Sequence, residues 1–226
     1  MRTRPLALLL LGALVLGACG SDDPSRTITQ GDALFTASFD EPGTWEEGIY
    51  PVDGSQPNST LAVVDGRYRI EHRSGRSSTF TWGVGAETAE NVIVEVEAAQ
   101  ASEEKDNLYG VLCRVQADSS GATRGYALLI SGDGHYGIAA FDRDTLTFLL
   151  DWHQSDAIHQ GQASNTIRAE CVDDYLAVYA NGTFLGDVTD SALSGPGQLG
   201  LIAGVTQESA ITVTFDNLVA YEASRQ

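Results

Sequence analysis

From residue 33 onward the sequence alternates between short apolar-rich runs and turn signals, and no helical period longer than a turn or two interrupts them. The runs are "ALFTASF" (33–39), "GRYRIEHR" (66–73), "STFTWGV" (78–84), "NVIVEVEA" (91–98), "LYGVLCRVQ" (108–116) and "GYALLIS" (125–131). "HYGIAAF" (135–141), "TLTFLLDW" (145–152), "NTIRAEC" (165–171), "YLAVYA" (175–180), "TFLGDV" (183–188), "GQLGLIAGV" (197–205) and "AITVTFDNLVAY" (210–221) follow. Several alternate at period two, which is the signature of a half-buried strand; Val92, Val94, Val96 and Ala98 share one face, Glu95 and Glu97 the other. Asn181-Gly182, Asp65-Gly66 and "SGDG" (131–134) supply turns, the first two being dipeptides that accept the positive φ of a type I′ hairpin. Only "SDAIHQG" (155–161) suggests a short helical turn. About a dozen short strands with no helices between them can bury their apolar faces only against each other. The expected fold is therefore all-β, a two-sheet antiparallel sandwich.

The first eighteen residues stand apart from this pattern. Arg2 and Arg4 make a positive start, "LALLLLGALVL" (6–16) an apolar stretch of eleven, and Gly17-Ala18 a small-residue exit. Such a stretch is far short of the roughly 20 apolar residues a spanning helix needs, and it reads as a secretory signal. "LGAC" resembles the bacterial lipobox, where a peptidase cuts before the cysteine and the thiol carries lipid. That resemblance implies lipidation of Cys19, a membrane anchor and an extracytoplasmic place in the cell envelope; the alternative is an ordinary signal peptide with a chance cysteine. Residues 19–32 read as a polar tether reaching about 20 Å as a coil, and 33–223 as one domain. The leader holds two arginines and no acid, so the formal charge falls from −18 to −20 without it. A surface this negative argues against nucleic acid and anionic lipid headgroups as partners.

With Cys19 assigned to lipid, Cys113 and Cys171 remain. On alternation Cys113 points with Tyr109 and Val111, Cys171 with Ile167 and Ala169, so both can face an interior. In an oxidising compartment such a pair bridges, worth about 4 kcal/mol for this separation in the chain-entropy model; two free buried thiols are the alternative. No CxxC or Cys/His cluster suggests zinc.

The order of "YGVLCR" (109–114), "GYALLISGDGHYGI" (125–138), "LLDWHQSDAI" (149–158), "NTIRAEC" (165–171), "LAVYANG" (176–182), "GQLGLIAG" (197–204) and "VTFDNLVAY" (213–221) resembles bacterial concanavalin A-like jelly rolls of the laminin-G type, related to the 3-keto-disaccharide hydrolase domain. The resemblance covers about residues 35–222 and implies a jelly-roll sandwich. It leaves three activities open: non-catalytic glycan recognition, hydrolysis of disaccharides or keto-glycosides, and a spacer or adhesion module without a small ligand.

Candidate chemistry is sparse. Glu95 and Glu97, at i and i+2 on one strand face, lie roughly 7 Å apart, within reach of glycosidase spacing. Laminarinase-type jelly rolls carry E-x-D-x-E, whereas this strand reads Glu95, Val96, Glu97, Ala98, Ala99, so a solvated outer face is the plainer assignment. His72, His135, His153 and His159 are scattered, and no H-E-x-x-H, G-x-S-x-G, phosphate loop or dinucleotide fingerprint occurs. Asp40 and Asp216, each following a phenylalanine near the first and last strands, are the candidates for calcium, or else cap strand ends through backbone hydrogen bonds. Aromatic rings stack on pyranose faces, which makes Trp82, Tyr109, Tyr126, Tyr136 and Trp152, with Arg114 and His135 as polar neighbours, the candidate glycan site; strands also use aromatics simply to pack. The sequence thus points to a lipid-anchored, lectin-like module for a neutral glycan, with no cofactor other than calcium.

Overall fold

The computed structural model describes residues 28–41, 43–50 and 58–226, so Cys19, the leader and most of the expected tether lie outside the described residues. Nine strands form one sheet: β1 (Ile28–Ala37), β2 (Gly48–Tyr50), β3 (Asn58–Val64), β4 (Arg67–Ser74), β6 (Val92–Gln100), β11 (Ser164–Val172), β12 (Tyr175–Ala180), β13 (Thr183–Thr189) and β15 (Ser209–Arg225). Six form the other: β5 (Thr79–Ala89), β7 (Asn107–Ala117), β8 (Thr123–Ile130), β9 (His135–Asp142), β10 (Thr145–Gln154) and β14 (Gly197–Val205). The larger sheet runs β13-β12-β11-β6-β15-β4-β3-β2, with β1 against the far half of β15; the smaller runs β10-β9-β8-β7-β14-β5. Among the described residues every pairing is antiparallel, and β1 closes against the last strand with Ile28 opposite Arg225.

The expected hairpins form as their dipeptides require: Asn181 and Gly182 take φ 53° and 78°, Asp65 and Gly66 take 53° and 70°. Three features differ from the sequence expectation. The first strand begins at Ile28, not 33, because its backbone pairs with the C-terminal end of β15 (Ile28 opposite Arg225); its exposed polar side chains do not oppose that. β2 and β3 are additional strands, and residues 155–161 form turns instead of a helical segment.

Between the sheets lie Tyr68, Ile70, Val94, Val96, Tyr109, Val111, Tyr126, Leu128 and Phe215, all buried. Burial of each aliphatic side chain contributes about 1.5–3 kcal/mol. Cys113 on β7 and Cys171 on β11 form the expected disulfide across this core, tying the two sheets together with Cα atoms 6.7 Å apart.

The smaller sheet carries a second apolar layer on its outer face, formed by Leu108, Leu112, Ala127, Leu129, Phe141 and Ile202. These residues are buried because the sheet curls over them. Trp82 on β5 meets Phe141 on β9 at 5.5 Å between ring centroids, although three strands lie between them. A flat sheet would separate those strands by about 19 Å at four strand spacings. Glycine makes the curl possible: a Cβ at Gly125 would sit 2.6 Å from Phe141, and one at Gly137 would sit 3.1 Å from Phe148. The outer face of the six-stranded sheet is therefore concave, with aromatic rings folded in from both edges.

Candidate functional site

A cleft follows this concave face and changes character along its length. Its middle is a cavity of about 330 Å³ walled by Phe80 from β5, Leu108 from β7, and Leu146, Phe148 and Trp152 from β10. Ser78, Asp144, Thr145 and Thr206 complete the lining. Phe148 and Trp152 pack ring to ring at 5.2 Å, as do Phe80 and Trp82 at 5.7 Å, so each edge presents a paired aromatic wall.

Trp152 and Thr206 also line an adjoining cavity of about 180 Å³ with Asp106, Asn107, Ser131, Asp133 and His135. This end is polar and rigid. Asn107 is fully buried; its amide donates to Gln100 Oε1 (3.1 Å) and to the Glu104 carbonyl (2.6 Å), and its Oδ1 accepts from Gly132 N (3.0 Å). Ser131 donates to the Lys105 carbonyl at 3.1 Å, and Thr206 donates to the carbonyl and carboxylate of Asp106. Buried polar groups satisfied in this way fix the loops they join. Within the frame, His135 Nδ1 faces Asp133 Oδ1 at 2.9 Å, each side chain about one-third exposed. Burial works to raise the Asp133 carboxyl, but its contacts with Ser131 and His135 outweigh it and hold it below the usual carboxylate range. At the other end, beyond Asp144, the cleft opens out between Trp82, the 120–123 turn and Arg143.

Of the predicted binding residues, Trp82, His135 and Trp152 reach this cleft. Tyr109, Tyr126 and Arg114 do not; they are buried at 0–1% exposure. Tyr109 faces the other sheet, where its hydroxyl accepts from Asn165 Nδ2 at 3.2 Å and burial pushes its pKa up to about 12. Tyr126 donates to Asp190 Oδ1 (2.5 Å) and accepts from Leu193 N (3.0 Å); burial and Asp190 raise it to about 12. Arg114 donates to the carbonyls of Glu90 (3.3 Å) and Leu193 (3.1 Å), so it and Tyr126 latch the β13–β14 connection. Tyr136 points to the intersheet side, its ring 5.8 Å from that of His153.

Glu95 and Glu97 sit on the outer face of the nine-stranded sheet, away from the cleft. Glu95 pairs at 2.8 Å with Arg168, its cross-strand partner, which also binds Glu170 at 2.8 Å, and Glu97 is exposed. Asp216 accepts from Asn217 N (2.7 Å) and pairs with Arg67 at 3.7 Å; Asp40 is exposed beside Gly66. Among the described residues no group of three or more His, Cys, Asp and Glu gathers in metal-binding geometry.

Phe80, Asp106, Asp133, Leu146, Phe148 and Thr206 are cleft residues that the sequence reading did not single out. Phe80 was recoverable, since in "STFTWGV" it shares a face with Trp82.

Neither a protein-family model nor a curated protein matches the sequence. Solved structures do match in shape. A Bacillus subtilis protein of unknown function with a galectin-like fold superposes with TM-score 0.63 at 11% identity, over 88% of this chain and all of that one. The Bacillus licheniformis β-glucanase gives 0.60 at 12%, covering 83% and 97%. The carbohydrate-binding module CBM66 of Bacillus subtilis gives 0.54 at 13%, covering 87% and 96%. Likeness at this level of identity fixes architecture, and the chain is a two-sheet jelly roll of the concanavalin A-like class.

Proposed function

We propose that this protein is a non-catalytic, lectin-like module that binds a neutral glycan at the polar end of the concave cleft, held at the cell surface by lipid on Cys19. The observation that carries the reading is Trp152: an aromatic platform set beside the framed Asp133–His135 pair. A sugar recognised by its C–H face and its hydroxyls needs those two elements side by side. Asp133 accepts from sugar hydroxyls as a carboxylate, while a glycosidase needs one acid held above its usual pKa to protonate the leaving group. The anchor rests on the leader and the "LGAC" sequence; eight residues lie between Cys19 and the start of β1, a span of up to about 30 Å if extended.

The glucanase among the structural neighbours makes β-glucan oligosaccharides the first probes. Trp152→Ala should weaken binding 10- to 100-fold, the equivalent of about 1–3 kcal/mol for a lost stacking platform. Unaltered affinity in that variant, or no neutral glycan bound on an array, refutes the assignment. Glycan cleavage that disappears in Asp133→Asn would replace it with a hydrolase.

A further inference from the structure

We infer that the ligand of this cleft is an amphipathic glycoside, its sugar on the Trp152 platform and an uncharged apolar substituent in the adjoining 330 Å³ cavity. The inference rests on the glycan reading above and extends it to ligand class. The two cavities share Trp152 and Thr206, so they adjoin along these side chains, close enough for one molecule to reach into both. Their chemistry is opposite. The polar end offers Asp133 and His135, whereas the deeper walls of the other are Phe80, Leu108, Leu146, Phe148 and Trp152.

Polar groups in the apolar cavity do not serve a sugar ring well. Ser78, Asp144 and Thr145 are exposed at its mouth, and the Thr206 hydroxyl is already committed to Asp106. A second pyranose pushed into this cavity would leave hydroxyls unpaired against hydrocarbon, a penalty that grows with each one. A hydrocarbon segment has no such groups to strand. The space equals about eleven water volumes at roughly 30 Å³ each, enough for a short chain. A free fatty acid would put its carboxylate near Asp144 or the Asp106 and Asp133 carboxylates, and this field disfavours an anion. An uncharged glycoside meets both halves.

The test titrates the full chain with methyl, butyl, hexyl and octyl β-D-glucosides below their micellar concentrations, with hexanol as the sugar-free control. Affinity should rise about fourfold per added methylene until the cavity is full, then level off. Leu146→Glu should flatten that rise. Thr145→Trp, at an exposed position on the cavity mouth, should bring the plateau to a shorter chain even if the first variant is unstable. Affinity independent of chain length, with methyl glucoside or a β-glucan oligosaccharide still bound, overturns this inference and leaves the glycan reading standing. Hexanol binding as tightly as hexyl glucoside, or no binding by any of these probes, overturns both.

Discussion

The indole of Trp82 and the ring of Phe141 touch across the open face of a six-stranded sheet, 5.5 Å apart and tilted by 51°. Because the contact bridges strands β5 and β9, it couples two regions that share no hydrogen bonds. A double-mutant cycle with Trp82→Leu and Phe141→Leu, followed by chemical denaturation, should give a coupling of about 0.5–1.5 kcal/mol. Phe141→Ala alone should cost about 3–5 kcal/mol, since that ring is 2% exposed. Strict additivity of the pair would show that the curl is held by something else.

The Cys113–Cys171 bridge closes a separation of 58 residues and joins opposite sheets. Replacing both cysteines with serine should lower stability by about 4 kcal/mol on the chain-entropy model. Digestion of oxidised protein without reductant should yield one linked peptide pair; two freely alkylated thiols would rule the bridge out.

His72 is 1% exposed, with Nδ1 2.8 Å from Ser59 Oγ and Nε2 2.9 Å from Thr79 Oγ1. Burial lowers its pKa to about 4, a hydrogen bond with the Thr79 backbone opposing only in part. Well above pH 6.5 the ring is neutral whether the chain is folded or not, and it adds no pH dependence. Below pH 6.5 the unfolded chain takes up the proton first, so stability falls until the native ring also protonates near pH 4. Between pH 7.5 and 5 the loss from this residue should be about 2 kcal/mol. A His72→Gln variant should show that much less decline over the same interval by urea denaturation. Parallel pH profiles for the two proteins would mean the ring titrates normally.

The anchor has a direct test. Cys19→Ser should abolish incorporation of labelled fatty acid and leave the protein either unprocessed or released from membranes. Membrane partitioning and lipid labelling that persist in the variant would exclude lipidation at this cysteine.

Strand positions were legible because period-two alternation and turn dipeptides are local. The parity that placed Cys113 and Cys171 toward each other also places Tyr109 with Val111 and Cys113, so the sequence already contained the information that this tyrosine faces inward. Alternation says which residues share a face; it does not say which face is the concave one. That depends on strand order, in which β14 lies between β5 and β7, a pairing made from residues about a hundred positions apart. Irregularities add to the difficulty. Arg114 adopts φ 51° where the β7 register slips, so Val115 joins the concave layer and the arginine turns into the interior. In β10 the register shifts between Phe148 and Leu150 and again before His153, which returns Trp152 to the cleft beside Phe148. β3 escaped notice because Leu61-Ala62-Val63-Val64 is a continuous apolar run without alternation. The Asp133–His135 pair lies at a turn identified for its glycines, and turn chemistry alone does not reveal what the turn faces.

Phe141 and Phe148 lie where they do because Gly125 and Gly137 beneath them have no side chain. The calibre of the cleft is thus set from below, by two positions that no ligand in it would touch. A methyl group at Gly137 would lift Phe148 into the cleft, and one at Gly125 would displace Phe141 and, through it, Trp82. Two proteins on this scaffold with identical walls can therefore accept different substituents. For such a family, divergence in specificity is to be sought among the small residues of the floor as much as among the aromatic residues above it.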